Sequence, residues 1–360
     1  MLVLVLDIES SSVSTTLTLV PERGGKPSII YSGSTSIPYR PHAPTPDYVR
    51  SIERALRDAA AGAAEQAHRL RSALPGLDIP AHIDEAHVVL SSPWVITQAR
   101  SVSASFGREE QLSDSKIGTI LATERASLMR SMQPGISLVE EKIFDIELDG
   151  SPVREWRGAS AQRAEISYAV SLGQEAFIDG ARETALQSAH ARHVAFHSAL
   201  LLQHIYLRQM PGTADMSYAI IHVHGELTDI AVIERGACAF FGSYPVGSGS
   251  IVRKLASLAE VSPRTAGSSL SLHSGRHLDP SYGLTTVRRV EAIGHEWADG
   301  LDKLIAAGEI YGGMPPQALL IADAHAGFFA ESIRSEHPDA AIDIIASDRS
   351  LIYAEAISMI

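Results

Sequence analysis

"HVHGELTDIAVIE" runs from His222 to Glu234. Its second half, Thr228 to Ile233, is rich in β-branched and apolar residues and reads as a strand. Its first half is the kind of turn that, in a phosphate-gripping hairpin, carries an aspartate and several glycines. Here the turn carries His222, His224 and Glu226, with Gly225 as the glycine that remains. Whether such a hairpin still holds a phosphate decides how the rest of the chain is read.

Upstream, "SYAIIHV" from Ser217 is an apolar strand, and downstream "CAFFGSYPVG" is a third strand after a turn. The N-terminus shows the same meander. "LVLVLDI" (Leu2–Ile8) is a near-continuous apolar run of the central-strand type, "VSTTLTLV" (Val13–Val20) its hairpin partner, and "SIIYSGSTSIPY" the third strand. Two such meanders amount to a weak internal repeat. A long helix opens at Thr45 and Pro46, and "EAHVVL" from Glu85 is a further strand. Residues 95–165 alternate strand, helix and strands, as a small α+β unit. Helices dominate from "GQEAFIDG" to "FHSALLLQHIYLRQM" and again over about 251–312, with "HSGRHLDPSYGL" as a loop between them. "QALLIADAHAGFFAESIRSE" then gives strand, loop and helix, and "AIDIIAS" closes a sheet.

The chain has 360 residues, enough for two domains or one bilobed unit. Its 42 acidic and 30 basic side chains leave a net charge of −12, which argues against nucleic acid or anionic lipid as the main partner. The single cysteine, Cys238, excludes an internal disulfide and fits a reducing compartment. The apolar N-terminal run lacks a basic lead, so it reads as a strand and not a signal peptide. "ALLLQHIY" from Ala199 is too short to span a bilayer, so direct membrane insertion is not expected.

Four short motifs stand in order. "DIESSSVS" supplies Asp7, Ser10, Ser11 and Val13 of an Asp-hydrophobic-Gly-Ser/Thr-Ser-x-Val-Lys motif, with Glu9 at the glycine and Ser14 at the lysine. "HVHGELTD" supplies Gly225, Thr228 and Asp229 of a second motif. "YPVGSGSI" keeps Pro245, Val246 and Gly247. "ADAHA" puts Asp323, Ala324 and His325 where an adenosine loop has glycines. With this order of elements, the chain resembles the actin-like superfamily, and within it the FtsA and PilM families of cell division and type IV pilus assembly.

The resemblance implies an α/β, bilobed actin-like fold. Residues 1–94 and 166–215 would form the first lobe, 95–165 an inserted α+β subdomain, and 216–360 the second lobe. It also implies a cleft where ATP and Mg²⁺ would be held through Asp7, Ser10, Ser11, Gly225, Thr228, Asp229 and Gly247. The substitutions argue against that ligand. A phosphate needs bare backbone amides close by, and Glu9 and Glu226 add like charge there. Each such contact costs about 4 kcal/mol at 4 Å and an effective dielectric of 20. The expected role is therefore a non-catalytic scaffold with no resident cofactor. It is expected to be cytoplasmic, to bind the cytoplasmic tail of a membrane protein, and to self-associate through the inserted unit. The alternative is an ATP-binding assembly switch with weak or no hydrolysis. A third reading comes from the residues themselves: His222, His224 and Glu226 at i, i+2 and i+4 share one face of a strand. With His325 from the third wall of the cleft, His222 and His224 would form a Zn²⁺ or Mn²⁺ ligand set.

Overall fold

Leu2–Ile8 (β1) is buried at every position because both of its faces meet a core. Leu2, Leu4, Leu6 and Ile8 pack into one cluster, and Val3 and Val5 into another. This is why the run is apolar without alternation. The computed structural model describes residues 1–21, 25–39, 45–153, 155–210, 213, 216–274, 283–308, 313–345 and 349–360. Most of the loop expected over 273–284 lies outside these residues.

β1 pairs antiparallel with β2 (Ser12–Leu19), which pairs antiparallel with β3 (Ser28–Ser36). On its other side β1 pairs in parallel with β4 (Glu85–Leu90). Between β3 and β4 the chain forms helix α1 (Thr45–Ala73), which covers the sheet. The inserted unit follows, with β5 (Val95–Gln111), α2 (Asp114–Ser131), β6 (Ile136–Leu148), β7 (Ser151–Pro152) and β8 (Ser160–Gln174). Its sheet has the order β5-β8-β6-β7. Ser113 caps α2 by accepting from the Lys116 amide at 3.3 Å. Ile117, Leu121 and Leu128 of α2 pack on the sheet in a core separate from the others. The boundary expected at residue 165 falls inside β8, which stays in this sheet to Gln174; the first-lobe chain resumes with α3 (Glu175–Ser188).

The next strand, β9 (His193–Ser198), pairs in parallel with β4 at the edge of the first sheet, in a region where the sequence reading expected helices to dominate. Six residues with histidines at both flanks carry little alternation, and pairing with β4 outweighs that weak local signal. Helix α4 (Ala199–Arg208) follows directly.

The second lobe repeats the first. β10 (Tyr218–Val223) pairs with β11 (Thr228–Glu234) and, in parallel, with β13 (Gln317–Ala322). β12 (Ala237–Tyr244) and β14 (Ala341–Ile344) close the two edges. The strand order β12-β11-β10-β13-β14 matches β3-β2-β1-β4-β9 of the first lobe, position by position. α5 (Ser248–Ala259), α6 (Pro263–Ser274), α7 (Gly283–Ala307) and α8 (Ala326–Glu336) cover its outer face.

The inner faces of both sheets share one core. Val3, Val5 and Val89 of the first lobe meet Tyr218, Ile220 and Ile321 of the second. Leu201 and Leu202 of α4 join them, as do Ile352 and Tyr353 of a C-terminal helix, α9 (Arg349–Ile357), which the sequence reading did not anticipate.

His204 of α4 lies in this region, fully buried, with Nδ1 3.0 Å from the Tyr218 hydroxyl and its ring edge-on to Phe144 of the inserted unit. Burial, helped by Arg208, lowers its pKa from 6.5 to about 4. Below pH 6.5 the unfolded chain therefore takes up a proton that the folded chain refuses. The stability contribution is complete above pH 6.5 and is lost as pH falls towards 4, by about 3 kcal/mol. Urea unfolding at pH 7 and 4.5 is expected to show this loss, and His204→Gln, which keeps a partner for Tyr218, to flatten it.

Candidate functional site at two touching hairpins

The first hairpin turns at Glu9–Ser11, between β1 and β2. Its backbone is held on every side. The Glu9 amide donates to the Ser12 carbonyl at 3.0 Å, and the Glu9 carbonyl accepts from Trp94 Nε1 at 2.9 Å. Tyr48 donates to the Ser10 carbonyl, and the Ile37 amide to that of Ser11. Trp94 is itself stacked between Tyr48 and Phe177.

The second hairpin turns at His224–Leu227, between β10 and β11. Ser248 donates its amide to the His224 carbonyl at 2.9 Å, and Gly249 to the Gly225 carbonyl at 2.7 Å. This brings the start of α5 against the turn, and glycine at 247 follows: a Cβ there would lie 2.2 Å from the His224 carbonyl oxygen. The Ser250 hydroxyl accepts from the Gly247 amide at 2.8 Å and completes the cap of α5.

The two hairpins touch. Ser10 Oγ lies 2.9 Å from His224 Nδ1 and accepts from the Glu226 amide at 3.0 Å. A Cβ on Gly225 would fall 1.7 Å from Ser11 Oγ, so Gly225 is where the second hairpin admits a side chain of the first. Thr228 donates to the Val246 carbonyl at 2.7 Å and accepts from Trp297 Nε1 at 3.1 Å. Asp229 accepts from the Ser92 amide at 3.0 Å and the Ser243 hydroxyl at 2.7 Å, with His224 Nε2 3.3 Å away. Burial pushes its carboxyl up, but His224 and the bonds from His224, Ser243 and Ser92 draw it further down, to about 2.

Beside the hairpins a cleft of about 720 Å³ opens between the lobes, lined by Ser11, Ser12, Ser14, Arg253, Asp323 and Arg349 among others. Arg349, the first residue of α9, reaches into its floor. Its guanidinium Nη1 contacts the Glu9 carboxylate and lies 3.5 Å from Asp7 Oδ2. Nη2 lies 2.9 Å from Asp323 Oδ1, and Nη1 lies 3.2 Å from His222 Nε2. His222 also faces Glu9 at 3.1 Å. Burial lowers the pKa of His222, and the neighbouring His224 adds to this. Glu226 is paired with Arg253, whose guanidinium lies 3.6 Å from the ring centre of Tyr39 on the other lobe.

No family model and no curated relative matches this chain. Solved structures do. The chain is similar to a PilM-PilN type IV pilus biogenesis complex, at 11% identity and a TM-score of 0.61, over 99% of this chain and 97% of that one. The chain has the actin-like ATPase fold. A further similarity is to the ethanolamine utilization protein EutJ from Carboxydothermus hydrogenoformans, at 11% identity and a TM-score of 0.48, over 99% of this chain and 88% of that one.

Within this actin-like frame Asp7, Ser10, Ser11, Gly225, Thr228, Asp229 and Gly247 do gather at one place; Ser10, Thr228 and Asp229 are engaged by neighbouring protein groups, while Asp7, Ser11 and Gly225 line the cleft. Two expectations change. Glu9 and Glu226 do not stand without counter-charge, because each faces an arginine, Arg349 and Arg253, and the two hairpins are in direct contact through Ser10 and Ser11. Nor do His222, His224 and His325 converge as metal ligands. His222 and His224 do lie side by side, with ring centroids 5.3 Å apart, although β10 ends at Val223 and His224 stands in the turn. His224 is taken by Ser10, and His325 lies 3.0 Å from Ser271. Among the described residues, the group of three ligand-type side chains that does converge is Glu9, His222 and Asp323, with donor atoms within 4.8 Å of one another. His325 keeps a left-handed backbone, φ 59°, at the N-cap of α8, a conformation that favours glycine.

Proposed function

We propose that this chain is a non-catalytic scaffold of a bacterial envelope machine, of the cell-division or type IV pilus-assembly kind. It holds the cytoplasmic tail of a membrane protein and is brought to the inner face of the membrane by that partner. The observation that carries this reading is the contact between Ser10 and Ser11 and the turn at His224–Glu226. Side chains and amides that would cradle a triphosphate are spent on joining the lobes. An actin-like chain without a nucleotide cycle offers its shape, and the partner-binding part draws on the similarity to a PilM-PilN complex. No helix among the described residues is long and apolar enough to cross a membrane, which fits anchoring through a partner.

A second reading, ATP binding with weak or no hydrolysis, draws on the cleft volume of about 720 Å³, which lies in the range of small-molecule sites. Thermal unfolding with millimolar Mg·ATP separates the two. A ligand at 100 times its dissociation constant stabilises a fold by about 2.7 kcal/mol, which raises the melting temperature by several degrees. The scaffold reading expects no rise; a rise that Glu226→Gly leaves unchanged would establish a competent site and overturn it.

A further inference from the structure

We propose that Glu9, His222 and Asp323 form a binding site for a divalent transition metal of the Zn²⁺ or Mn²⁺ class, entered from the cleft when the Arg349 side chain moves aside. This goes beyond the scaffold reading and does not depend on it.

One donor atom from each of the three residues lies within 4.8 Å of the others, so a side-chain adjustment of a few tenths of an ångström brings them to metal–ligand bonds of about 2.0–2.2 Å. The histidine has a buried partner. Gln203 Nε2 lies 3.3 Å from His222 Nδ1, and Oε1 of this fully buried amide has no hydrogen-bond partner, so a flip of the amide would place the oxygen at Nδ1. With that oxygen turned to Nδ1–H, Nε2 presents its lone pair towards Glu9. This is the outer support that metal-binding histidines commonly have.

The charge is also incomplete. When ionised, Asp7, Glu9 and Asp323 set three negative charges around the single guanidinium of Arg349. Asp7 is only 5% exposed, and its Oδ1 has no hydrogen-bond partner. A divalent ion supplies two charges where the guanidinium supplies one. Asp7, Asp323 and Arg349 all line the cleft, so an entry path exists and a displaced Arg349 returns to solvent. One imidazole with carboxylates suits Zn²⁺ or Mn²⁺; Mg²⁺ prefers oxygen ligands and sheds water reluctantly.

The test uses the full chain purified without a metal-affinity tag, stripped with chelator, incubated with Zn²⁺ or Mn²⁺ alone and passed through gel filtration before elemental analysis. The wild type is expected to retain one ion per chain in the presence of millimolar Mg²⁺. Asp323→Asn is expected to weaken retention at least tenfold, and Arg349→Gln to tighten it at least tenfold by removing the competing cation. Zn²⁺ or Mn²⁺, but not Mg²⁺, should also raise the melting temperature of Arg349→Gln. Equal retention by wild type, Asp323→Asn and Arg349→Gln would place any bound ion on other histidines and overturn the proposal, as would retention by none of them. If Arg349→Gln does not fold, the wild-type and Asp323→Asn pair decides on the same terms.

Discussion

Arg349→Gln is expected to lower the unfolding free energy of the metal-free chain by about 3–5 kcal/mol near pH 8, the usual cost of breaking a buried ion pair from one side. The side chain is 18% exposed and is the cation shared by Asp7, Glu9 and Asp323, so its removal leaves carboxylates facing one another. The loss should shrink on acidification. Burial raises the Asp323 carboxyl to about 6, so its ionised form costs the fold stability at pH 8, and that cost is relieved as pH falls below 6. Once Asp323 is protonated, removing Arg349 leaves one charge fewer without a counter-ion. Urea titrations of wild type and variant at pH 8 and pH 5 measure both the size and the trend. Adding Glu9→Gln to Arg349→Gln should recover part of the loss, since the two sites are coupled by contact. A deficit below about 1 kcal/mol at both pH values would mean the guanidinium is not the counter-charge described.

Gly247→Ala is expected to be comparably severe, about 3 kcal/mol or more, at the upper end of overpacking costs. The added Cβ would stand 2.2 Å from the His224 carbonyl oxygen, 2.6 Å from the Leu227 amide nitrogen and 2.8 Å from the Gly225 carbonyl carbon. All three are backbone atoms of a turn pinned to α5, so relief requires the hairpin and helix to separate. Gly225→Ala is the instructive contrast. Its added Cβ clashes with the Ser11 side chain, at 1.7 Å from Oγ and 2.4 Å from Cβ, while the nearest backbone atom, Ser11 Cα, stands at an ordinary 3.7 Å. Ser11→Gly in the same chain should therefore restore most of the stability lost in Gly225→Ala, and none of that lost in Gly247→Ala. Thermal unfolding of the four variants checks this. Suppression of both by Ser11→Gly would contradict the packing at α5.

The sequence shows the frame and hides the locks. β1 and β10 are legible because both faces of each strand are buried, which leaves an apolar run with no alternation. The meander repeat is legible because the turns between its strands carry recognisable residues. The electrostatics are not. Arg349 meets Asp7 and Glu9 across some 340 positions, and Arg253 meets Glu226 from a different element. Partnerships of that kind leave no periodicity. A charge count at the two turns therefore overstated repulsion, since it included the acids and not the arginines that the fold delivers. The grouping of His222, His224 and His325 meets the same obstacle: Ser10 engages His224 and Ser271 meets His325, partners far away in the sequence.

The core shared by the inner faces of the two sheets, with α4 and α9 wedged along it, has a mechanical consequence. Where lobes swing on a hinge, tension applied to one side is first absorbed as rotation. Here Val3, Ile220, Leu201 and Ile352 are packed together, so a tug on either half arrives at the other as strain in a stiff solid, with little slack to take up.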